Sequence, residues 1–135
     1  MTKWLLDTNA VIALVARRSE PLLRRVEATE PGALAISSIV AHELYFGAYR
    51  SQKIEFNLET LRLLFADLEI LDLDQEDARA AGEIRADLAR RGTPIGPYDL
   101  LIAGQAMARG LPLVSNNTAE FERIAGLKLE DWTRE

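Results

Sequence analysis

Short apolar runs alternate along the chain with longer segments whose apolar residues recur every three or four positions. The short runs predict four to five strands, at Trp4–Leu6, 34–36, 70–71, 111–114 and 127–129. The longer segments predict about seven helices, at 10–16, 21–28, 38–48, 54–67, 74–91, 97–109 and 118–124. Because strands and helices alternate, the expected fold is a three-layer α/β/α domain with a central parallel sheet.

The chain is expected to form a single domain over residues 1–135. This length suits one hydrophobic core, and the longest Pro- and Gly-rich stretch, Gly92–Pro97, is too short to separate two domains. No apolar run approaches the ~20 residues that cross a bilayer, and the first residues lack the order of a secretory signal. The absence of cysteine excludes disulfides and zinc–thiolate sites. We therefore expect a cytoplasmic protein that does not bind membranes.

Polar residues interrupt the apolar pattern at four places where a strand ends or a helix passes such an end. Asp7 follows the first strand, Glu43 lies inside the third helix, Asp99 lies near the start of the sixth, and Ser115–Thr118 follow the fourth strand. Asn9 is the predicted N-cap of the first helix. In parallel sheets, ligands bind beyond the carboxyl ends of the strands, where the strand order reverses. We therefore expect the three acids to converge there.

Converging carboxylates are typical of a site for a hard cation. Two carboxylates about 4 Å apart repel by roughly 4 kcal/mol at an effective dielectric constant near 20, which raises their pKa values. Mg²⁺ or Mn²⁺ removes this conflict because both prefer oxygen ligands. Such ions activate water and screen the charge on a phosphate. With one histidine, no cysteine and no phosphate-binding Gly-rich loop, metal-assisted phosphodiester hydrolysis is the predicted chemistry.

Each polar residue also has an ordinary structural explanation. Asp7 suits a helix cap, Glu43 a solvated helix face, Asp99 the positive end of a helix dipole, and Asn117 a turn or an N-cap. Taken singly, these explanations are about as good as the functional one. The occurrence of all four in this order, each at its expected local position, favours a site.

The aromatic residues of the third helix are weaker candidates for a functional role. His42 has no evident partner and is interpreted as an ordinary helix residue. Tyr45, Phe46 and Tyr49 recur at helical spacing, which favours a core or subunit contact over a surface for base stacking.

The formal net charge of −5 at pH 7 argues on its own against a nucleic-acid partner. Bound divalent cations would offset several acids locally, however. Arginines occur in pairs, at Arg17-Arg18, Arg24-Arg25 and Arg90-Arg91. They suit solvated helix ends, or contacts with phosphates if several pairs line one groove.

At these positions the chain resembles the PIN-domain ribonucleases, and specifically the VapC toxins of bacterial toxin–antitoxin pairs. The resemblance extends in order over essentially the whole chain. The matching runs are Leu6–Asn9, Ser37–Ile39 with Glu43-Leu44, Gly92–Asp99, Val114–Phe121 and Gly126–Trp132. The run from Gly92 to Asp99, together with Asn116–Phe121, is the most specific part.

The resemblance implies an endoribonuclease that depends on Mg²⁺ or Mn²⁺. Asp7, Glu43 and Asp99 match the metal-binding acids of the family. The substrate implied by analogy is RNA, specifically initiator tRNA. The family also implies a homodimer and a VapB-like antitoxin whose tail occupies the catalytic groove, in a higher assembly that contacts DNA only through the antitoxin.

One position departs from the family pattern. Many PIN domains carry a fourth acid where this chain has Asn117, which offers a carbonyl oxygen but no charge. Glu120, one helical turn later, is placed to reach the same space. Asn117 and Glu120 are therefore secondary candidates for the catalytic site.

Three other functions are considered. A catalytically weakened domain that binds RNA or antitoxin without cutting would explain the missing fourth acid. A haloacid-dehalogenase-like phosphatase, which uses an aspartyl phosphate, needs a second Asp two residues after the first, but position 9 is Asn. A receiver-like signalling module needs an acid pair near the first strand and a lysine after the last, and the chain has neither.

Overall fold

Five short strands form one parallel sheet in the computed structural model, which describes residues 1–134. The strands are β1 (Trp4–Leu6), β2 (Leu34–Ser37), β3 (Glu69–Leu71), β4 (Leu113–Val114) and β5 (Leu129–Glu130). The helices are α1 (Thr8–Val15), α2 (Glu20–Glu27), α3 (Ser38–Arg50), α4 (Ile54–Ala66), α5 (Gln75–Arg90), α6 (Pro97–Arg109) and α7 (Thr118–Phe121). The predicted α/β fold with a central parallel sheet and about seven helices is confirmed.

The strand order is β3-β2-β1-β4-β5. From β1 the chain moves outward on one side through β2 and β3, and it then crosses to the other side of β1 for β4 and β5. The order therefore reverses between β1 and β4, which pair directly through Leu6 and Val114. The residues that follow these two strands, Asp7 and Ser115, lie at the position where open parallel sheets bind ligands.

The start of α1 differs from the prediction. Asp7, and not Asn9, is its N-cap, because an Asp7 carboxylate oxygen accepts a hydrogen bond from the Ala10 amide at 2.8 Å. The helix consequently begins at Thr8, two residues before the predicted start. The ordinary structural explanation for Asp7, a helix cap, is therefore confirmed. This role does not exclude a functional one.

Polar caps define several other helix starts. Ser37 caps α3 by accepting the Ile39 amide at 3.1 Å. Asp74 and Asp77 form a reciprocal capping box at the start of α5. Such caps satisfy amide groups that have no partner inside the helix.

The last two strands are shifted from their predicted positions. Strand β4 begins at Leu113, because the Leu111 amide still bonds to the Ala106 carbonyl and closes α6 beyond the left-handed Gly110 (φ 65°). Strand β5 is Leu129–Glu130 instead of 127–129. Both shifts leave the residues after β4 at the carboxyl edge of the sheet.

Helix α6 has more buried residues than any other helix within residues 1–134. Ile102, Ala103 and Ala106 have no exposed surface, and Gly104 lies against Ala81 of α5. This packing fixes the helix that carries Asp99 on its first turn.

A buried charge cluster joins α6 to α5. The Asp77 carboxylate, 1% exposed, accepts hydrogen bonds from Gln105 at 3.1 Å and from Arg109 at 3.0 Å. Burial alone would raise the pKa of Asp77, but the bonds from Arg109, the Asp74 amide and Gln105 lower it. The paired charge thus ties the C-terminal half of α6 to the start of α5.

The arginine pairs and the aromatic residues of α3 lie at the surface. Arg24 and Arg25 lie in the last turn of α2, and Arg90 in that of α5, which supports the helix-end interpretation. Tyr45, Phe46 and Tyr49 of α3 are exposed, so the core part of the prediction for them is wrong and the subunit contact stays a prediction. Within residues 1–134, no helix combines the length and hydrophobicity needed to cross a bilayer.

Candidate active site

Asp7 is held in a fixed position at the strand-order reversal. Its side chain is 1% exposed. One carboxylate oxygen accepts the Ala10 amide, and the other accepts the Ser115 hydroxyl at 2.6 Å. The Ser115 oxygen in turn accepts the Asn117 amide at 2.9 Å. These bonds connect the end of β1, the start of α1 and the loop after β4 in one polar network.

Glu43 reaches the same edge of the sheet from α3. Its carboxylate accepts a hydrogen bond from the Thr8 hydroxyl at 2.7 Å. Thr8 is the first residue of α1, directly after Asp7. The side chain of Glu43 therefore points towards Asp7 and not towards solvent on the outer face of α3.

Asp99 lies on the first turn of α6, where the helix dipole favours an acid. Its carboxyl group lies next to that of Glu120 of α7, and this contact raises the pKa of Asp99. Glu120 also accepts a hydrogen bond from the Asn117 side-chain amide at 2.8 Å. The two secondary candidates are thus joined to one another, and Glu120 is the one that contacts Asp99.

Burial and neighbouring carboxylates raise the pKa values of two of the acids. Burial raises the pKa of Asp7 to about 6, against the bonds from Ser115 and Ala10, and repulsion by Glu43 and Asp131 adds to the rise. Burial also raises the pKa of Asp99 to about 7, together with Glu120, Asp7 and Glu43. These interactions require Asp7, Glu43, Asp99 and Glu120 to face one shared region.

The side chains at the site suit a hard cation that keeps several of its waters better than one that is coordinated entirely by the protein. All donors at the site are oxygens, and burial together with neighbouring carboxylates raises the pKa values of two of the acids, Asp7 and Asp99. Among residues 1–134, no three His, Cys, Asp or Glu side chains lie close enough to hold one ion together. Mg²⁺ keeps several waters and commonly takes only one or two carboxylates directly, so the arrangement is compatible with it.

A sizeable cavity lies away from the acids. It measures about 710 Å³ and is lined by residues of α1, α2 and α4 and by the first residues of β2 and β3, including Leu23, Leu34, Leu64 and Glu69. None of the five predicted site residues lines it. The acids instead lie at the carboxyl edge of the sheet.

His42 has a partner, contrary to the prediction. Its ring meets that of Tyr98 edge to face, with centroids 5.6 Å apart and planes at 74°. His42 precedes Glu43 on α3, and Tyr98 precedes Asp99 on α6. The two rings therefore lie one residue away in sequence from two of the acids, where α3 and α6 approach each other.

The sequence places Ser115 in the polar run after the fourth strand, but it does not predict the hydrogen bonds of Ser115 and Thr8 or the influence of Asp131. Thr8 and Ser115 orient Glu43 and Asp7, and Asp131 repels Asp7 from the end of β5. The available signal was a hydroxyl directly after a predicted strand or beside an acid. That signal is weak because such hydroxyls are also common as caps.

Asp99→Asn is expected to stabilise the metal-free protein at about pH 8. The pKa of Asp99 is higher in the folded protein, about 7, than its ordinary value of 3.8, so the folded state favours the protonated acid. The stability from this group is full below about pH 4 and is lost as the pH rises through about 7. After discounting for solvent screening of this half-exposed group, we expect a gain of roughly 1 kcal/mol.

Thermal unfolding in EDTA at about pH 4 and pH 8 measures this effect. Asparagine resembles the protonated acid, so the variant should unfold a few degrees above the unaltered protein at the higher pH and level with it at the lower one. Glu55→Gln, at an exposed position on α4, is the control and should show no such dependence. Equal Tm values at both pH values would show that Asp99 carries no electrostatic strain.

A family model of the PIN domain matches residues 4–127. That span is most of the chain and includes all five predicted site residues. The chain therefore belongs to the PIN-domain family.

Within the family, the chain groups with the VapC proteins. It is 46% identical to the tRNA(fMet)-specific endonuclease VapC of Salmonella typhimurium over 98% of this chain and 99% of that protein. It is 41% identical to Ribonuclease VapC2 of Haemophilus influenzae over 98% of this chain and 99% of that one.

Solved structures of VapBC complexes have the same fold. The match to DNA-bound VapBC from Salmonella typhimurium has a TM-score of 0.93 at 45% identity and covers 98% of this chain and 99% of that chain. The match to VapBC-1 from nontypeable Haemophilus influenzae has a TM-score of 0.91 at 33% identity and covers 98% and 100% of the two chains.

Proposed function

We propose that the chain is an endoribonuclease that depends on Mg²⁺ or Mn²⁺ and acts as the toxin of a toxin–antitoxin pair. The observation that carries this proposal is the convergence of Asp7, Glu43 and Glu120 on Asp99, whose pKa their charges raise, at the strand-order reversal of a PIN fold. The names of its relatives, endonuclease and ribonuclease, support the same reaction.

The residues of the site have separable tasks. Asp7 and Asp99 are the proposed direct ligands, with Glu43 and Glu120 next to them. The bound ion supplies an activated water and screens the charge on the scissile phosphate. The Ser115 hydroxyl and the Ala10 amide hold the Asp7 carboxylate in one orientation, and Thr8 does the same for Glu43. Asn117 orients Glu120, which in turn contacts Asp99.

The proposed partners follow from the relatives and the surface. RNA is the substrate, and initiator tRNA is the specific candidate because a relative is named for tRNA(fMet). The inhibitor is a VapB-like antitoxin, since similar structures are VapBC complexes, one of them bound to DNA. Contact with DNA would be made only through that antitoxin. The exposed rings of Tyr45, Phe46 and Tyr49 offer a surface for a homodimer. We place the protein in the cytoplasm.

Cleavage of bulk tRNA by the purified protein tests the reaction. We expect cleavage with Mg²⁺ or Mn²⁺, and a loss of at least about 100-fold in EDTA, because removing the ion removes both the metal-activated water and the screening of the phosphate charge. The exposed-site variant Glu55→Gln should behave like the unaltered protein. Equal cleavage in EDTA would rule out the metal mechanism.

A folded protein that binds RNA but cuts none with either ion would support the alternative, a weakened PIN-like domain that only binds RNA or antitoxin. The feature that keeps this alternative open is Asn117, which stands in place of a fourth family acid. Calorimetry with Mn²⁺ separates the two cases further, because a weakened site should also bind the ion poorly.

A further inference from the structure

Two exposed aromatic rings stand at the rim of the acid site. Tyr98 is 46% exposed and His42 is also exposed. Each ring is attached to the residue directly before a site acid, Asp99 on α6 and Glu43 on α3. The pair therefore spans the gap between the two helices that deliver these acids.

The geometry of the pair leaves aromatic surface available for a ligand. An edge-to-face contact with planes at 74° covers at most one face of one ring, so the two rings do not cover each other. A pair that served only to pack α3 against α6 would be expected in the interior, where aromatic residues contribute most by burial. These rings are instead accessible from solvent.

The charge at the site favours an uncharged means of holding RNA. The acids behind the rings repel a phosphate backbone, and the chain carries a net charge of −5. Stacking of bases on aromatic rings adds affinity without relying on the backbone charge, and it is a common way of holding single-stranded RNA. Unpaired bases next to a scissile phosphate at the acids would lie within reach of residues adjacent to those acids.

We infer that His42 and Tyr98 form a stacking platform for an unpaired RNA base next to the scissile phosphate. This inference rests on the proposed ribonuclease function. In it, Tyr98 supplies the face on which the base stacks, and His42 fixes the ring orientation through the edge contact. The substrate is therefore recognised in a single-stranded region, such as a loop, since bases in a continuous helix are not free to leave their stack.

The test uses a short single-stranded RNA carrying the fluorescent base 2-aminopurine, with the label moved one position at a time. Binding is measured in EDTA, and gels confirm that the RNA stays intact. The variants are Tyr98→Ala, Tyr98→Phe and His42→Ala. Phe56→Ala, at an exposed ring on α4 (68% exposed), is the control. Thermal unfolding checks that each variant is folded.

Loss of the Tyr98 ring should weaken the binding of RNA. We expect Tyr98→Ala to raise the Kd about tenfold, within the range measured for single stacked bases. Tyr98→Phe and Phe56→Ala should stay within about twofold, and His42→Ala should have an intermediate effect. The dependence of Kd on salt should not change, because no phosphate contact is lost. Quenching of 2-aminopurine should occur at one or two label positions and disappear in Tyr98→Ala.

Unchanged Kd and unchanged quenching in folded Tyr98→Ala and His42→Ala would overturn the inference, while RNA cleavage by the unaltered protein would leave the proposed function intact. If Tyr98→Ala and His42→Ala lost antitoxin binding but bound RNA normally, the inference would also be overturned. The rings would then belong to a contact with a protein partner. If the unaltered protein neither binds nor cuts RNA, the proposed function fails and this inference fails with it.

Discussion

Asp7→Asn is expected to reduce RNA cleavage by at least about 10³-fold without unfolding the protein, a loss typical of removing a group that acts in the transition state. Asparagine is as good an N-cap as aspartate, so its side-chain oxygen can still accept the Ala10 amide that Asp7 accepts at 2.8 Å. The change therefore removes the charge and keeps the cap. Cleavage rates with Mn²⁺, together with thermal unfolding, measure both properties in one variant.

Asp7→Ala provides the comparison that separates the two roles. It removes the cap, which costs about 1 kcal/mol, and it also leaves the buried Ser115 hydroxyl without its acceptor. We expect the alanine variant to be as inactive as the asparagine variant but less stable. If a folded Asp7→Asn protein cleaves RNA at the normal rate, Asp7 is only a helix cap and the proposed mechanism is wrong.

Gly104→Ala is expected to be the most damaging small substitution in the core. A Cβ at Gly104 would lie 2.6 Å from the Cβ of Ala81 and 2.7 Å from its Cα and N. Two of these three atoms belong to the backbone, so Ala81 cannot turn away, and α5 and α6 must separate. Overpacking of this kind costs about 3 kcal/mol, which corresponds to a fall in Tm on the order of 10 °C.

Gly82→Ala is the matched control for Gly104→Ala. Gly82 is also helical, but a Cβ there meets no atom within 4 Å. Alanine should therefore stabilise the protein by about 0.5–1 kcal/mol through its higher helix propensity. Calorimetric unfolding of both variants tests the pair. A Gly104→Ala protein as stable as Gly82→Ala would mean that α5 and α6 are not in such close contact.

The sheet and the position of the acids could be predicted from the sequence because each depends on local pattern. Short apolar runs such as Trp4–Leu6 are buried on both faces of a parallel sheet, which gives them a clear signal. Asp7 stands at the end of such a run, and Asp99 stands on the first turn of a helix. At both positions the local backbone limits the directions in which the side chain can point. The reversal in strand order at β1 and β4 then brings them to one edge.

The details that could not be predicted depend on contacts between distant segments. The sequence cannot show that His42 meets Tyr98, because the approach of α3 to α6 is set by the packing of the whole core. The choice of Asp7 over Asn9 as the cap depends on where the chain leaves β1, a difference of two residues that propensity does not resolve. The roles of Thr8 and Ser115 as hydroxyl donors depend on side-chain directions that only the folded chain defines.

Helix α6 has a consequence for how the two halves of the site can move. Asp99 lies on the first turn of a helix whose central residues are fully buried and contact Ala81, so the amides of that buried centre should exchange slowly with solvent. Glu120, which lies next to Asp99, is instead on α7, which is only four residues long. We therefore expect α7 to open to exchange before the centre of α6 does.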